Sequence, residues 1–157
     1  ASKLEMLHSS GWQWLWQTGK NYFAGIKEIT DRNSSNSVKV SDFINRMDFA
    51  FAAADVIISR AGAGTISELC LVGKPVILVP SPNVAEDHQT RNAMALSERD
   101  AAILIRDAEA REKLVEEAIR LVSDSTRRKL LSANILKMAD RDADIRIARE
   151  VLKLAGK

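Results

Sequence analysis

Residues 55–69 read Asp55-Val-Ile-Ile-Ser-Arg-Ala-Gly-Ala-Gly-Thr-Ile-Ser-Glu-Leu69. A short apolar run, Asp55 to Ser59, stops at a glycine loop and so reads as a buried strand. A helix is expected over Thr65 to Val72, with Gly73 placed to cap its C-terminus. The same succession then recurs. Pro75-Val-Ile-Leu-Val79 reads as a second buried strand, Glu86 to Arg99 as a helix and Ala101 to Ile105 as a third strand. Strands separated by helices predict an α/β fold, a parallel sheet with helices on both faces. Ligands of open sheets of this kind sit at the carboxyl ends of the strands.

Working outward, Trp12-Gln-Trp-Leu-Trp-Gln17 alternates its three Trp and reads as a strand whose Trp face is covered. Thr18-Gly19 breaks it. Lys20 to Thr30 has helical spacing, Asp31 to Ser37 is a polar loop and Val38 to Phe43 a short strand. Met47 to Ala54 reads as a helix of small residues. Beyond Arg106 no glycine appears until Gly156, and three helices are expected, Ala108–Val122, Ser125–Ala139 and Asp142–Leu154. The chain has no initiating Met, and Lys3 to Leu7 reads as the end of a helix begun upstream. A single domain over 1–157, cut from a longer protein, is the expectation.

With 157 residues the chain can bury a self-sufficient core. Its 46% hydrophobic and 28% charged residues are ordinary for a globular protein, and a net charge of +2 gives no argument for nucleic acid. One cysteine, Cys70, rules out an internal disulfide and reads as a small buried hydrophobe. No apolar stretch approaches the roughly 18 residues of a membrane span. No His/Cys/Asp cluster has metal-ligand spacing, so no metal and no cofactor is expected.

The chemistry is expected at the Gly62-x-Gly64 turn. Free backbone N–H groups at a helix N-terminus, with the helix dipole behind them, bind anions. Ala63, Gly64 and Thr65 are thus candidates to cradle a diphosphate. Glu68, three residues after Thr65, would repel phosphate; it suits a ribose diol, or else simply complements the helix dipole. Gly62-x-Gly64-x-x-Ser67 is close to the dinucleotide fingerprint. That motif wants an acidic residue about 20 positions on, at the end of the next strand. The next strand ends Leu78-Val79-Pro80-Ser81-Pro82 instead, which argues against a dinucleotide site.

A second constellation is Val79-Pro-Ser-Pro-Asn-Val-Ala-Glu-Asp-His-Gln-Thr-Arg-Asn-Ala93. Two prolines stiffen the loop, and Glu86-Asp87 open a helix with favourable charges. His88 and Gln89 fall in its first turn, close to the crevice. Gln89 offers a donor and an acceptor, which suits sugar hydroxyls. Asn92 is expected to hydrogen-bond to the loop, and His88 has the simpler reading of a half-exposed helix residue.

These two segments resemble the C-terminal half of the MurG family of glycosyltransferases. Residues 59–69 are similar to its Ser-Arg-x-Gly-Ala-x-Thr-x-Ser-Glu signature, and residues 80–93 to its Pro…His-Gln-x-x-Asn-Ala segment. Trp16-Gln-Thr-Gly-Lys20 and Val40-Ser-Asp-Phe-Ile-Asn-Arg-Met47 resemble further segments in the right order. The resemblance implies a Rossmann-like fold, the C-terminal half of a GT-B enzyme, with UDP-N-acetylglucosamine as donor substrate. It implies that Ala63, Gly64 and Thr65 contact the diphosphate, that Glu68 binds the ribose, and that Gln89 with His88 meets the sugar hydroxyls. Ile44 would offer its backbone to uracil, with Met47 packing nearby. Arg60 matches an arginine of the signature, for diphosphate neutralisation or for structure.

It implies further an inverting transfer that converts lipid I to lipid II in peptidoglycan biosynthesis, at the cytoplasmic face of the bacterial inner membrane. The acceptor site, the general base and the peripheral membrane contact belong to an N-terminal domain that this sequence lacks. A Gly-Gly-Ser loop that in the family precedes the helix left here as Lys3–Leu7, and helps hold the diphosphate, is absent too. No catalytic residue is therefore assigned here, and the chain alone is expected to be inactive. The last helix is expected to expose an apolar patch that the missing half would cover. Alternatives are another UDP-sugar enzyme of the GT-B class (a lipid-linked glycosyltransferase or UDP-N-acetylglucosamine 2-epimerase) and a non-catalytic nucleotide-sugar-binding subunit.

Overall fold

The computed structural model describes residues 3–32, 36–82 and 87–156. Ala1-Ser2, the middle of the Asp31–Ser37 loop, and Asn83 to Glu86, where the helix after the second strand was expected to begin, lie outside the described residues.

The elements in order are α1 (Lys3–Ser9), β1 (Trp14–Gln17), α2 (Lys20–Asp31), β2 (Val38–Ser41), α3 (Met47–Ala53), β3 (Ile57–Ser59) and α4 (Ala63–Val72). There follow β4 (Val76–Leu78), α5 (His88–Ser97), β5 (Ile103–Leu104), α6 (Asp107–Ser123), α7 (Ser125–Leu136) and α8 (Ala143–Leu154). All strand pairs are parallel, as the alternation of strands and helices predicts.

The strands form two sheets rather than one, a two-stranded β1-β2 and a three-stranded β3-β4-β5. Side chains, not a hydrogen-bond ladder, join them. Trp14 donates its indole N–H to Ser10 Oγ at 3.0 Å and packs on the apolar cluster beside β4. The covered Trp face expected over residues 12–17 is correspondingly smaller. The strand begins at Trp14, while Trp12 and Trp16 are 37% and 41% exposed.

β4 is the middle strand of its sheet and is buried on both faces. Val76 and Leu78 point into a cluster with Leu69 and Cys70 of α4, Ala93 and Leu96 of α5, and Ile135 of α7. Ile77 and Val79 point the other way, against Ala118 and Leu121 of α6 and Leu131 of α7. The period-two alternation of a strand thus serves two helix layers. Each fully buried Leu or Ile contributes about 1.5–3 kcal/mol. Burial pushes the Cys70 thiol above its ordinary value, in keeping with a packing role.

Gly73 ends α4 in the left-handed region (φ 67°), its N–H bonded to the Leu69 carbonyl at 3.0 Å. A Cβ there would strike Leu136, so both the conformation and the space call for glycine. α8 contributes no buried residue, and Ile145, Ile147, Val151 and Leu154 are exposed. No helix among the described residues is long and apolar enough to cross a membrane.

Candidate functional site

β3 carries the chain to Ser59, and α4 begins at Ala63, two residues earlier than its apolar pattern alone indicates. Gly62 is the N-cap in an extended conformation, with no side-chain cap bond. The first bond of the helix runs from Ile66 N–H to the Gly62 carbonyl at 2.9 Å. The N–H groups of Ala63, Gly64 and Thr65 therefore precede the helical ladder, and no acceptor meets them among the described residues. Ala63 and Gly64 are exposed. These three donors lie at the positive end of a ten-residue helix, next to the carboxyl end of β3, which is where an anion is favoured. The helix dipole adds about 0.3–1 kcal/mol for a nearby charge at an exposed site.

Glu68 lies on α4, exposed and without a partner among the described residues. Arg60 is held. Its Nη1 donates to the carbonyls of Val79 (3.1 Å) and Pro80 (3.4 Å) and pairs with Asp107 at the start of α6. Of the two roles open from sequence, this geometry favours structure, since the guanidinium ties the ends of β3 and β4 to α6.

Gln89 and Asn92 reach the same loop from α5. Gln89 Oε1 accepts from Ser81 N–H at 2.9 Å and from Ala61 N–H at 3.3 Å. Asn92 Nδ2 donates to the Ala61 carbonyl at 3.0 Å, the loop bond expected of it. Gln89 is thus engaged with protein through its oxygen, and only its amide nitrogen is left for a ligand. His88, the first residue of α5, is exposed. Asp87 before it adopts a left-handed conformation (φ 54°), which turns the loop into the helix.

Ile44 and Met47 belong to the loop and helix that follow β2. The Ile44 N–H is already taken, donating to Gln17 Oε1 at 2.8 Å. Met47, half-buried, opens α3. Arg46 grips Asp48 with two bonds of 3.0 and 2.6 Å and lies 3.9 Å above the Phe49 ring. Arg46 holds the Asp48 carboxyl below the usual range for an aspartate. No hydrogen bond or ion pair among the described residues joins residues 42–47 to residues 60–68. Each group sits at the carboxyl end of its own sheet. Sequence reasoning did not single out Gln17 or Asp107. Gln17 had one signal, a polar residue ending an otherwise apolar strand.

A parallel α/β fold with unpaired helix N–H donors at the carboxyl edge of its sheet defines a class of phosphate- and nucleotide-binding proteins. Residues 1–147 match the model of the glycosyltransferase family 28 C-terminal domain, and the chain belongs to that family. It is 53% identical over 151 residues to the UDP-N-acetylglucosamine–N-acetylmuramyl-(pentapeptide) pyrophosphoryl-undecaprenol N-acetylglucosamine transferase of Cytophaga hutchinsonii, covering 96% of this chain and 40% of that protein. The enzyme of the same name from Parabacteroides distasonis is 49% identical, over 98% of this chain and 42% of its own length. That from Phocaeicola vulgatus is 52% identical, over 98% and 41%. The chain thus spans about two fifths of the length of these curated relatives. The crystal structure of MurG from Acinetobacter baumannii superposes with a TM-score of 0.78 at 24% identity, over 88% of this chain and 40% of that one. The fold is therefore the Rossmann-like fold of that C-terminal half.

Proposed function

We propose that this chain is the donor-binding half of an inverting glycosyltransferase that moves N-acetylglucosamine from UDP to the lipid-linked muramoyl-pentapeptide, turning lipid I into lipid II. The observation that carries the proposal is the cradle of unpaired N–H groups at Ala63, Gly64 and Thr65. Hydrogen-bond donors already aimed at a diphosphate stabilise the charge that grows on it as the sugar–oxygen bond breaks. The names of the relatives support the choice of donor and acceptor.

In this reading Glu68 accepts from the ribose hydroxyls, and the Gln89 amide nitrogen, with His88, meets the sugar. The Ile44 carbonyl faces the base, and its N–H becomes available once Gln17 yields it. Arg60 shapes the site without neutralising the diphosphate. The general base and the acceptor lipid belong to the remaining three fifths of the protein, as does the contact with the cytoplasmic face of the membrane. The exposed apolar residues of α8 suit a surface that this remainder covers.

Full-length protein given UDP-N-acetylglucosamine and a lipid I analogue is expected to form the disaccharide product, and the 157-residue chain alone to form none. Full-length protein that transfers glucose as readily as N-acetylglucosamine would point instead to another UDP-sugar enzyme. Nucleotide-sugar binding without transfer would point to a non-catalytic subunit.

A further inference from the structure

Gln89, Asn92, Ala93 and Leu96 stand at i, i+3, i+4 and i+7 on α5 and so share one face. Ala93 and Leu96 are core residues. Gln89 and Asn92, nearer the N-terminus of the helix, continue that face as polar groups and meet Ala61. Ala61 is fully buried and lies between β3 and the N-cap Gly62. Both of its backbone groups are held by α5, the N–H by Gln89 Oε1 and the carbonyl by Asn92 Nδ2. The amide orientations are dictated by the partners. The Ala61 and Ser81 groups are donors, so the glutamine oxygen must face them, and the Ala61 carbonyl requires the asparagine nitrogen.

We infer that Gln89 and Asn92 are positioning residues for the diphosphate: by gripping Ala61 they fix the direction of the Ala63, Gly64 and Thr65 N–H groups. The inference rests on the reading of the α4 N-terminus as the diphosphate site. Gly62, between the grip and the donors, has no side chain to restrain the turn. Without the grip the donors spread over more orientations, and a ligand must order them as it binds. Ser81 extends the same brace to the loop after β4, because both lone pairs of Gln89 Oε1 are used. A sugar that draws on the remaining amide hydrogens of Gln89 thereby acts on Ala61 as well. The sugar and diphosphate ends of the site are coupled through one side chain.

The test uses the 157-residue chain, labelled with ¹⁵N and titrated with UDP, which has no sugar. Gln89→Met and Asn92→Leu are each expected to weaken UDP binding about tenfold. UDP-induced shifts at Ala63, Gly64 and Thr65 shrink while those at Ile44 persist. Without ligand, amide exchange at Ala61 and Ser81 accelerates in Gln89→Met and stays slow in Gln89→Glu, whose carboxylate still accepts both bonds. UDP affinity within about twofold of the original chain in both weakened variants overturns the inference and leaves the diphosphate reading standing. So does fast exchange in Gln89→Glu. An original chain that binds no UDP overturns the diphosphate reading and the inference with it.

Discussion

Of the loops that leave the carboxyl ends of the parallel strands, those after β3 and β2 are each braced by a glutamine. After β3, Ala61 is buried and held by two side chains, and the N–H groups of Ala63, Gly64 and Thr65 meet no acceptor among the described residues. After β2, Ile44 is held by one exposed bond from its N–H to Gln17, and that N–H is thereby consumed. The first loop is fixed at Ala61 and leaves the donors that follow unpaired among the described residues. The second spends its donor on itself and must exchange partners before a ligand can use it. Preorganisation depends on bracing the residue beside the binding groups, not on occupying those groups.

The change expected to break the first loop most severely is Gly64→Asp. A Cβ at Gly64 meets nothing within 4 Å, so the fold accommodates the side chain. A carboxylate about 5 Å from the diphosphate, at an effective dielectric of about 20, costs about 3 kcal/mol, or about a hundredfold in UDP affinity. Calorimetric titration with UDP checks this, and an unchanged affinity would remove the α4 N-terminus from the site. Next in size comes the contrast between the two braces. Gln89→Met should weaken UDP binding about tenfold, whereas Gln17→Met, which removes an exposed bond, should change it less than about threefold. Equal losses would mean that the second loop is as preorganised as the first.

Without ligand, the Ile44 amide is expected to exchange at least about tenfold faster than that of Ala61, because only the latter is buried. Hydrogen exchange followed by NMR reads this directly. The smallest effect expected is from acid. Asp48, held below the ordinary aspartate value by Arg46, steadies the start of α3. Its folded value is depressed, so the contribution is full above about pH 3.9 and fades as pH falls through that lower value. Shifts at Ile44 to Phe49 should follow this titration.

Much of this architecture is legible in the order of residues. Pro75–Val79 reads as a buried strand because both of its faces are covered, which leaves no polar alternation to find. Gly73 reads as a cap because a positive φ at a helix end favours glycine. The division into two sheets is not legible, since it depends on where Trp14 packs and not on any local pattern. The same limit applies within the site. Gly62-x-Gly64 announces a turn into a helix, and Asn92 suggests a loop bond. The hold of Gln89 on Ala61 and Ser81 has no signature, because backbone donors look alike at every position. Arg60 likewise reads as a phosphate ligand or a strut until Val79, Pro80 and Asp107 are seen around it.

Titration of the ¹⁵N-labelled chain with UDP-N-acetylglucosamine, with UDP-glucose as control, bears most directly on the claim that this is a donor-binding half. The account predicts amide shifts centred on Ala63, Gly64 and Thr65, with further shifts at Glu68, Gln89 and Ile44, larger for the acetylated sugar. An absence of shifts at the α4 N-terminus at millimolar ligand would contradict it.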